Sequence, residues 1–516
     1  MTAALIDGNV TGNDTGAPTP PESGDAERPR RDRDGEHDPA SFDRLVRSGL
    51  AWSVANNAIE RVVTLASGII LARILDPKDY GVFAVSLTAL LFLMALNDIG
   101  LSLALVRWPG PLDPVGPTAT TLIMAWSFLL FGCFIALAGP FADAMGAPEA
   151  APVVRLMSLA LVIDAIGAVP TVAITRGLQQ NRRTVAEFGG SIIGTPLTIG
   201  LALAGFGAWS LAWGHLAKNV IATALLMGLS PHRYLPGWNG PHARELLRHG
   251  LPIAATTLLS FGLLNFDYLV IGHTLGAVSL GLYVFAFNLS SFPVTVIINA
   301  LRRVSLAAFS RLHHDDLGLR SGFTRAFALT VAAVVPISAL LVGFAPDLIH
   351  FVYGSKWDGA IDVLRILAVV GGVRAVLDLS SDLFTAVGKA RWTLAIHGLW
   401  LVVLIPALIV GVDLGGIEGA GIAHLVVALA VVLPLYLYWL HRAGMAVGAF
   451  CRECVRPLIG GVVLTVVAIG ASRLIDGAFG TLALGGIFSM IAYLAIVAPM
   501  RRLVRTPEPE PAPGTP

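Results

Sequence analysis

The sequence predicts an all-α integral membrane protein, with about fourteen transmembrane helices arranged as two parallel six-helix lobes plus two C-terminal helices. Three observations carry that reading. Hydrophobic types make up 55% of the 516 residues, charged types only 13%, and mean hydropathy is +0.74, whereas a soluble domain holds roughly 25% charged residues. Apolar segments of about 20 residues, the length that spans a bilayer, recur along the chain. Lys and Arg gather on alternate connections, and short motifs return at offsets near 200–209.

The charge is unevenly placed. Residues 1–47 hold 6 Lys/Arg and 10 Asp/Glu, while 48–500 hold 26 and 22 over 453 positions. That excludes a soluble enzyme on a membrane anchor, and it excludes disorder for the body of the chain. Residues 1–44 and 501–516 are rich in Pro, Gly and charge, with too little apolar surface to offset chain entropy, and are expected to be disordered cytoplasmic tails. No apolar core follows the first positive charges, so no cleavable signal peptide is expected. A net charge of +1 gives no sign of a nucleic-acid partner. Cys133, Cys451 and Cys454 cannot build a disulfide framework, and the lone Cys451-Arg-Glu-Cys454 has no second ligand pair at zinc spacing. No metal and no cofactor are expected.

The apolar segments lie at about 48–72, 80–106, 117–139, 153–175, 183–204, 207–229, 247–272, 279–301, 323–345, 359–386, 391–411, 416–440, 454–474 and 477–499. The stretches 117–142, 279–301, 392–412, 419–440 and 477–500 carry no Asp, Glu, Lys or Arg. The uncharged run 188–217 is too long for one span, and Gly205-Phe-Gly207 breaks it into two helices with a tight turn.

With the N-terminus cytoplasmic, the inside connections and tails hold 26 Lys/Arg and the outside ones 5, leaving Arg61, Lys218, Arg365 and Arg374 within spans. That asymmetry predicts an even number of spans with both termini inside. Leu45-Val-Arg-Ser-Gly-Leu50 returns as Leu246-Leu-Arg-His-Gly-Leu251, Leu75-x5-Gly81 as Leu275-x5-Gly281, and Gln180-Asn-Arg-Arg-Thr184 as Lys389-Ala-Arg-Trp-Thr393. Both copies start inside, so the repeat is parallel. The expected organisation is an N-lobe at 45–229, a cytoplasmic linker at 230–246, a C-lobe at 247–440 and two appended spans at 441–500. Such lobes suit a secondary transporter rocking around a central cavity. No GxxxxGK[ST], HExxH or GxSxG motif is present, and His313-His314 reads as loop surface rather than a ligand pair.

The stretch Leu71-Ala-Arg-Ile-Leu-Asp-Pro-Lys-Asp-Tyr-Gly-Val-Phe-Ala84, then Asp98-Ile-Gly-Leu-Ser-Leu-Ala-Leu-Val-Arg107, closely resembles the polysaccharide/O-antigen flippases of the multidrug, oligosaccharidyl-lipid and polysaccharide exporter superfamily. Asn265-Phe-Asp-Tyr-Leu-Val-Ile-Gly272 echoes that family in the second lobe. The resemblance covers roughly 45–500. It implies a central cavity and translocation of undecaprenyl-diphosphate-linked oligosaccharide across the bacterial plasma membrane. The implied partners are that lipid-linked substrate, membrane lipids and a polysaccharide assembly machinery, with the chain acting as a monomer. The family has no universal catalytic signature, so site residues rest on their own chemistry.

Ionisable groups inside a membrane are costly and by default face a cavity or one another. The first span sets Asn56, Asn57, Glu60, Arg61, Thr64 and Ser67 mostly on one face. They form either a cavity wall with Arg61 on the substrate phosphates, or an inter-helix polar seam. The tenth span sets Arg374, Asp378, Ser381, Asp382 and Thr385 on one stripe, where Arg374 meets either substrate or Asp378 as an i,i+4 pair. The substrate-binding candidates are Arg61, Arg374, Asn57, Glu60 and Lys218, the last able to snorkel to a phosphate. The seventh span places Thr256, Ser260 and Asp267 on one face, and Asp267 could carry a coupling proton or merely end a helix. Asp98, Asp164 and Asp378 are further ion-coupling candidates. Asp362 and Arg365 read as a solvated pair, and Asp76-Pro-Lys-Asp79 as a structural outside turn.

Two other functions are weighed. A multidrug or organic-cation exporter of the same superfamily would want an acidic cavity, against which Arg61 and Arg374 count. A membrane glycosyltransferase or O-antigen polymerase would need a large outside loop, whereas the longest here, around 346–358, is about a dozen residues. The chain is therefore read as a non-enzyme.

Overall fold

Hydrocarbon offers backbone amides no partner, so apolar segments satisfy their hydrogen bonds internally as helices. A computed structural model describes residues 63–177, 179–230, 234–311, 316–475 and 477–503, and no strand occurs among them. They belong to one compact unit, Glu60–Pro516.

The N-lobe comprises α1 (Val63–Ile74), α2 (Pro77–Asn97), α3 (Leu101–Val106), α4 (Gly116–Ala144), α5 (Ala151–Arg176), α6 (Gln180–Leu203) and α7 (Ala208–Leu229). The α1–α2 turn is a capping box in which Asp76 and Asp79 satisfy each other's helix-start amides and Pro77 opens the helix. The α6–α7 turn is as tight as expected, with Gly205 and Gly207 at φ of +82° and +53°. One expected span proves to be two pieces. The segment read at 80–106 breaks after Asn97 and resumes as α3.

The C-lobe starts with α8 (Gly240–Arg311), which contains two spans joined at the non-helical Gly276. Next come α9 (Asp316–Gly343), the short α10 (Ala345–Leu348) with a π-turn at Ile349–Tyr353, and α11 (Ile361–Ala386). The helix α12 (Ala390–Val427) again holds two spans, broken at Gly415 and Gly416, and its second span finishes as α13 (Leu433–Arg442). The appended helices are α14 (Val447–Leu474), the single turn α15 (Ala478–Gly480) and α16 (Gly486–Val497), with α14 packed on α9 and α16. Among the described residues nine stretches are long and apolar enough to cross a membrane, two of which, Asn265–Thr295 and Arg391–Arg442, run through a break. With the more polar helices α7 and α11 this is compatible with about fourteen spans.

The lobes meet chiefly where α2 lies against α8. The repeat-related glycines touch there. A side chain on Gly81 would overlap the Ala277 carbonyl, and one on Gly281 would fall 2.7 Å from the Gly81 amide. Only glycine allows this approach of two backbones about the pseudo-two-fold axis.

Candidate functional site

At one end of the lobe junction each lobe caps the other. The last carbonyls of α1 have no partner within their own helix. The C-lobe supplies donors: Lys356 Nζ to the carbonyls of Arg73 (3.0 Å) and Leu75 (2.5 Å), and Trp357 Nε1 to that of Ala72 (2.9 Å). In return Arg73 donates to the carbonyls of Val352 (2.7 Å) and Phe351 at the π-turn. The fully buried Trp357 ring meets Tyr80 edge-on at 5.0 Å and stacks on Phe285 at 4.2 Å. Beneath this latch is a crevice of about 430 Å³ between the lobes. It is lined by α1, α2, the second half of α8 and Tyr353, and its polar groups include Thr64, Asn288, Ser291 and Thr295.

The C-lobe interior holds the most buried ionisable group of the expected set. The Asp267 side chain is 1% exposed. Its Oδ2 accepts the Tyr283 hydroxyl at 2.8 Å, and its Oδ1 accepts the Tyr268 amide at 3.0 Å. His424 Nε2 sits 3.3 Å from Oδ2 but off the line of a good hydrogen bond, so that contact is electrostatic. Arg374, half-buried on α11, lies within Coulombic reach of Tyr268, Tyr283 and His397. Asp267 acts on the same two tyrosines. One layer further, the Tyr436 hydroxyl stands 3.4 Å from His397 and in reach of Asp378 and the buried Asp382.

The N-lobe has its own polar centre at the α2–α3 break. Ile99 (φ +44°) and Gly100 (φ +70°) turn left-handed there, and Ile99 is the only non-glycine residue with positive φ among those described. For a β-branched residue that is a strained conformation. Asn97, fully buried, donates to the Leu161 carbonyl and to Asp164 Oδ2 at 3.4 Å each, and accepts the Ser127 hydroxyl. Asp98 accepts the Ser102 amide at 2.9 Å and lies within Coulombic reach of Asp164. The Asp164 side chain remains accessible.

Outside the C-lobe an apolar groove of about 610 Å³ runs between α9, α11, the end of α12 with α13, and α14. Val369, Gly372, Val373 and Val376 line it from α11, whereas Arg374, Asp378 and Asp382 point about 180° away at 100° per residue. One helix thus separates a lipid-like surface from an ionisable interior.

Lys218, Asp362 and Arg365 stay apart from these centres. Asn57, Glu60 and Arg61 lie outside the described residues, as does His313-His314. Lys218 is exposed on α7, where that helix runs over Gly190 and Gly194, with His215 within Coulombic reach. Asp362 and Arg365 form the expected exposed pair at 2.9 Å. Glu187 bonds Arg183 at 2.8 Å. Cys451 is exposed, Cys454 buried, and both thiols are free. His424, Tyr283, Asn97 and the latch residues Arg73, Lys356 and Trp357 had not been singled out. His424 escaped because 419–440 was screened for Asp, Glu, Lys and Arg, and histidine is neutral in that count.

Residues 70–362, more than half of the chain, match the family described as polysaccharide biosynthesis protein. The chain is 26% identical over 466 residues to the succinoglycan biosynthesis transport protein ExoT of Rhizobium meliloti (strain 1021), covering 88% of this chain and 91% of that one. It is 26% identical over 388 residues to the lipopolysaccharide biosynthesis protein WzxC of Escherichia coli (strain K12), covering 74% and 78%. Among solved structures, the lipid II flippase MurJ in an inward closed conformation is similar in fold, with a TM-score of 0.72 at 14% identity over 88% of this chain and 100% of that one. An inward-facing multidrug resistance MATE family transporter of the MOP superfamily gives a TM-score of 0.59 at 19% identity, covering 76% and 95%. Taken with a two-lobed helical fold latched at one end, the match across both lobes means that the chain belongs to the polysaccharide biosynthesis protein family.

Proposed function

We propose that the protein translocates undecaprenyl-diphosphate-linked oligosaccharide or polysaccharide precursors from the cytoplasmic to the outer leaflet of the bacterial plasma membrane by alternating access. The observation that carries the reading is the inter-lobe crevice closed at one end by reciprocal capping between the lobes. A seal made of hydrogen bonds and one edge-on aromatic contact, Tyr80 on Trp357, can open as the lobes rock, and the crevice then faces the other side. The apolar groove supports a lipid-linked substrate, since it offers a polyprenyl tail a surface with few polar groups. The relatives named for succinoglycan transport and lipopolysaccharide biosynthesis support a glycan as the cargo.

In this reading Arg374 holds the diphosphate, joined by Arg61, which precedes the crevice-lining Thr64 by three positions in the chain. Asn57, Glu60 and Lys218 are auxiliary contacts. Asp267 is the leading ion-coupling group, with Asp98, Asp164 and Asp378 behind it. Both termini are cytoplasmic, on the Lys/Arg distribution. The 1–44 tail, the lobes at 45–229 and 247–440, the 230–246 linker, the pair of spans at 441–500 and the 501–516 tail keep the proposed boundaries. The chain works as a monomer beside the assembly machinery, and it transports rather than catalyses. Organic-cation export fits less well, because a cationic cargo would meet the Arg374 guanidinium.

The test is a deletion strain assayed for lipid-linked oligosaccharide. Accumulation at the cytoplasmic face, reversed by the wild-type gene, is expected. Accumulation at the outer face would point to the polymerase instead, and unchanged export would overturn the reading.

A further inference from the structure

We propose that Asp267 and His424 together form one proton-binding site inside the C-lobe, and that its proton is the ion coupled to binding of the anionic substrate. The coupling half rests on the transporter reading above; the proton site rests on geometry alone.

The chemistry around Asp267 selects the ion. Its carboxylate meets a tyrosine hydroxyl, a backbone amide and an imidazole nitrogen. A sodium or other hard cation needs several converging oxygen lone pairs. Two of the contacts here are hydrogen-bond donors, and the third is an imidazole nitrogen, which can carry a proton. The described residues hold no cluster of three or more His, Cys, Asp or Glu suited to a metal. A proton is the cation such a site can take. It sits either on Asp267 Oδ2 or on His424 Nε2, and transfer between them breaks one bond to hydrogen and forms the other, with nothing oxidised or reduced.

The neighbouring charges set the consequence. On its own helix Asp267 faces Tyr268, and across the Gly276 break Tyr283. The helix α11 brings Arg374, with Asp378 and Asp382 in the next layer; α12 brings His424 and His397, and α13 brings Tyr436. Toward the N-lobe α8 presents His273, bonded to the Ala144 carbonyl. The α2 helix contributes Tyr80 at the latch and α3 has no titratable side chain, while Asp316, Arg320 and Arg325 lie near the start of α9. Without the proton, the Asp267 carboxylate offsets the Arg374 guanidinium. Loading the proton removes that negative charge and makes the field around the guanidinium more attractive to an anion, so proton and diphosphate bind with positive linkage.

The experiment measures binding of undecaprenyl diphosphate to the full-length protein in nanodiscs across about pH 5 to 8. Wild type is expected to bind more tightly as pH falls, approaching about tenfold per pH unit above the midpoint for one linked proton. Asp267→Asn, locked in the uncharged form, should bind at high pH as tightly as wild type does at low pH. Tyr283→Phe removes a donor that stabilises the carboxylate, so the midpoint moves up. His424→Asn removes one of the two seats for the proton, so the midpoint moves down. A purely structural role would weaken binding at every pH without moving the midpoint, and that result overturns the proposal. So does a pH-independent wild type, or affinity that follows sodium at fixed pH. Should Asp267→Asn fail to fold, the opposite midpoint shifts of the other two variants decide. If wild type binds no undecaprenyl diphosphate, the substrate reading fails. Infrared titration of the protonated-carboxyl band, compared between wild type and Tyr283→Phe, then decides the proton site separately. An upward shift in the variant sustains the site, and an unshifted or absent band sinks it.

Discussion

A guanidinium in a membrane lobe costs at least roughly 2.5–3.5 kcal/mol on the lenient insertion scale, so Arg374 needs a return on its placement. The carboxylate that shares its tyrosines is Asp267. If Arg374 holds a diphosphate, Arg374→Ala should lose about 1.5–3 kcal/mol of charge-assisted bonding, or roughly 10- to 100-fold in transport. Arg374→Lys keeps the charge without the fork and should fall between. The double change Arg374→Leu with Asp378→Leu should be as defective as the alanine variant, and wild-type flipping by it would return Arg374 to a structural role. Tyr234, in the segment between the lobes, donates to Asp113 at 3.1 Å, and burial, then that carboxylate, push its phenol up to about 12. A raised tyrosine stabilises the fold fully below the ordinary value near 10 and loses that contribution as pH rises through about 12. Ultraviolet difference titration between wild type and Tyr234→Phe should therefore show the variant lacking one phenol that ionises near pH 12.

Among the elements, α11 and the latch do the sorting. The groove face of α11 and its ionisable face differ only by helical phase, so filling the groove should leave the interior intact. Val373→Trp is expected to reduce export with an unchanged melting temperature; normal export would mean that no lipid tail uses the groove. At the latch, removing a buried Trp side chain costs about 3–5 kcal/mol. In Trp357→Ala that loss falls on the latched state, through the inter-lobe contacts with Ala72 and Tyr80. A cysteine at Ala277, buried at the lobe junction, should then label faster from outside. A lower melting temperature with unchanged labelling would show that Trp357 only supports its own lobe.

For the whole molecule, the internal repeat has become a contact. Gly81 and Gly281, equivalent in the two copies, press together where the lobes meet. A parallel repeat with both starts inside demands an even span count in each lobe, and the orientation follows from the 26-to-5 distribution of Lys and Arg. Gly416→Cys, at the break in α12, should label from outside, and Gln180→Cys only after permeabilisation. The reverse at both positions would invert the orientation, and agreement at one alone would mean a miscounted span between them.

What the sequence alone determined were the terms that add up locally: hydrocarbon-length apolar runs, the glycines that turn the chain, the repeat, and the uneven placement of cations. Each depends on neighbours a few residues away or on composition, so each is legible without a fold. The break at Asn97 was less so, since a strained turn inside an apolar run is stabilised by groups elsewhere. Trp126, for example, bonds the Leu96 carbonyl freed at that break. Only the tertiary structure decided which charges meet. Arg73 finds Val352 across 279 positions, Trp357 finds Ala72 across 285, and Asp267 finds a histidine four helical segments later in a span screened as uncharged. Nothing in local spacing encodes those partners. They follow from how two lobes pack, and that is a property of all the helix surfaces at once.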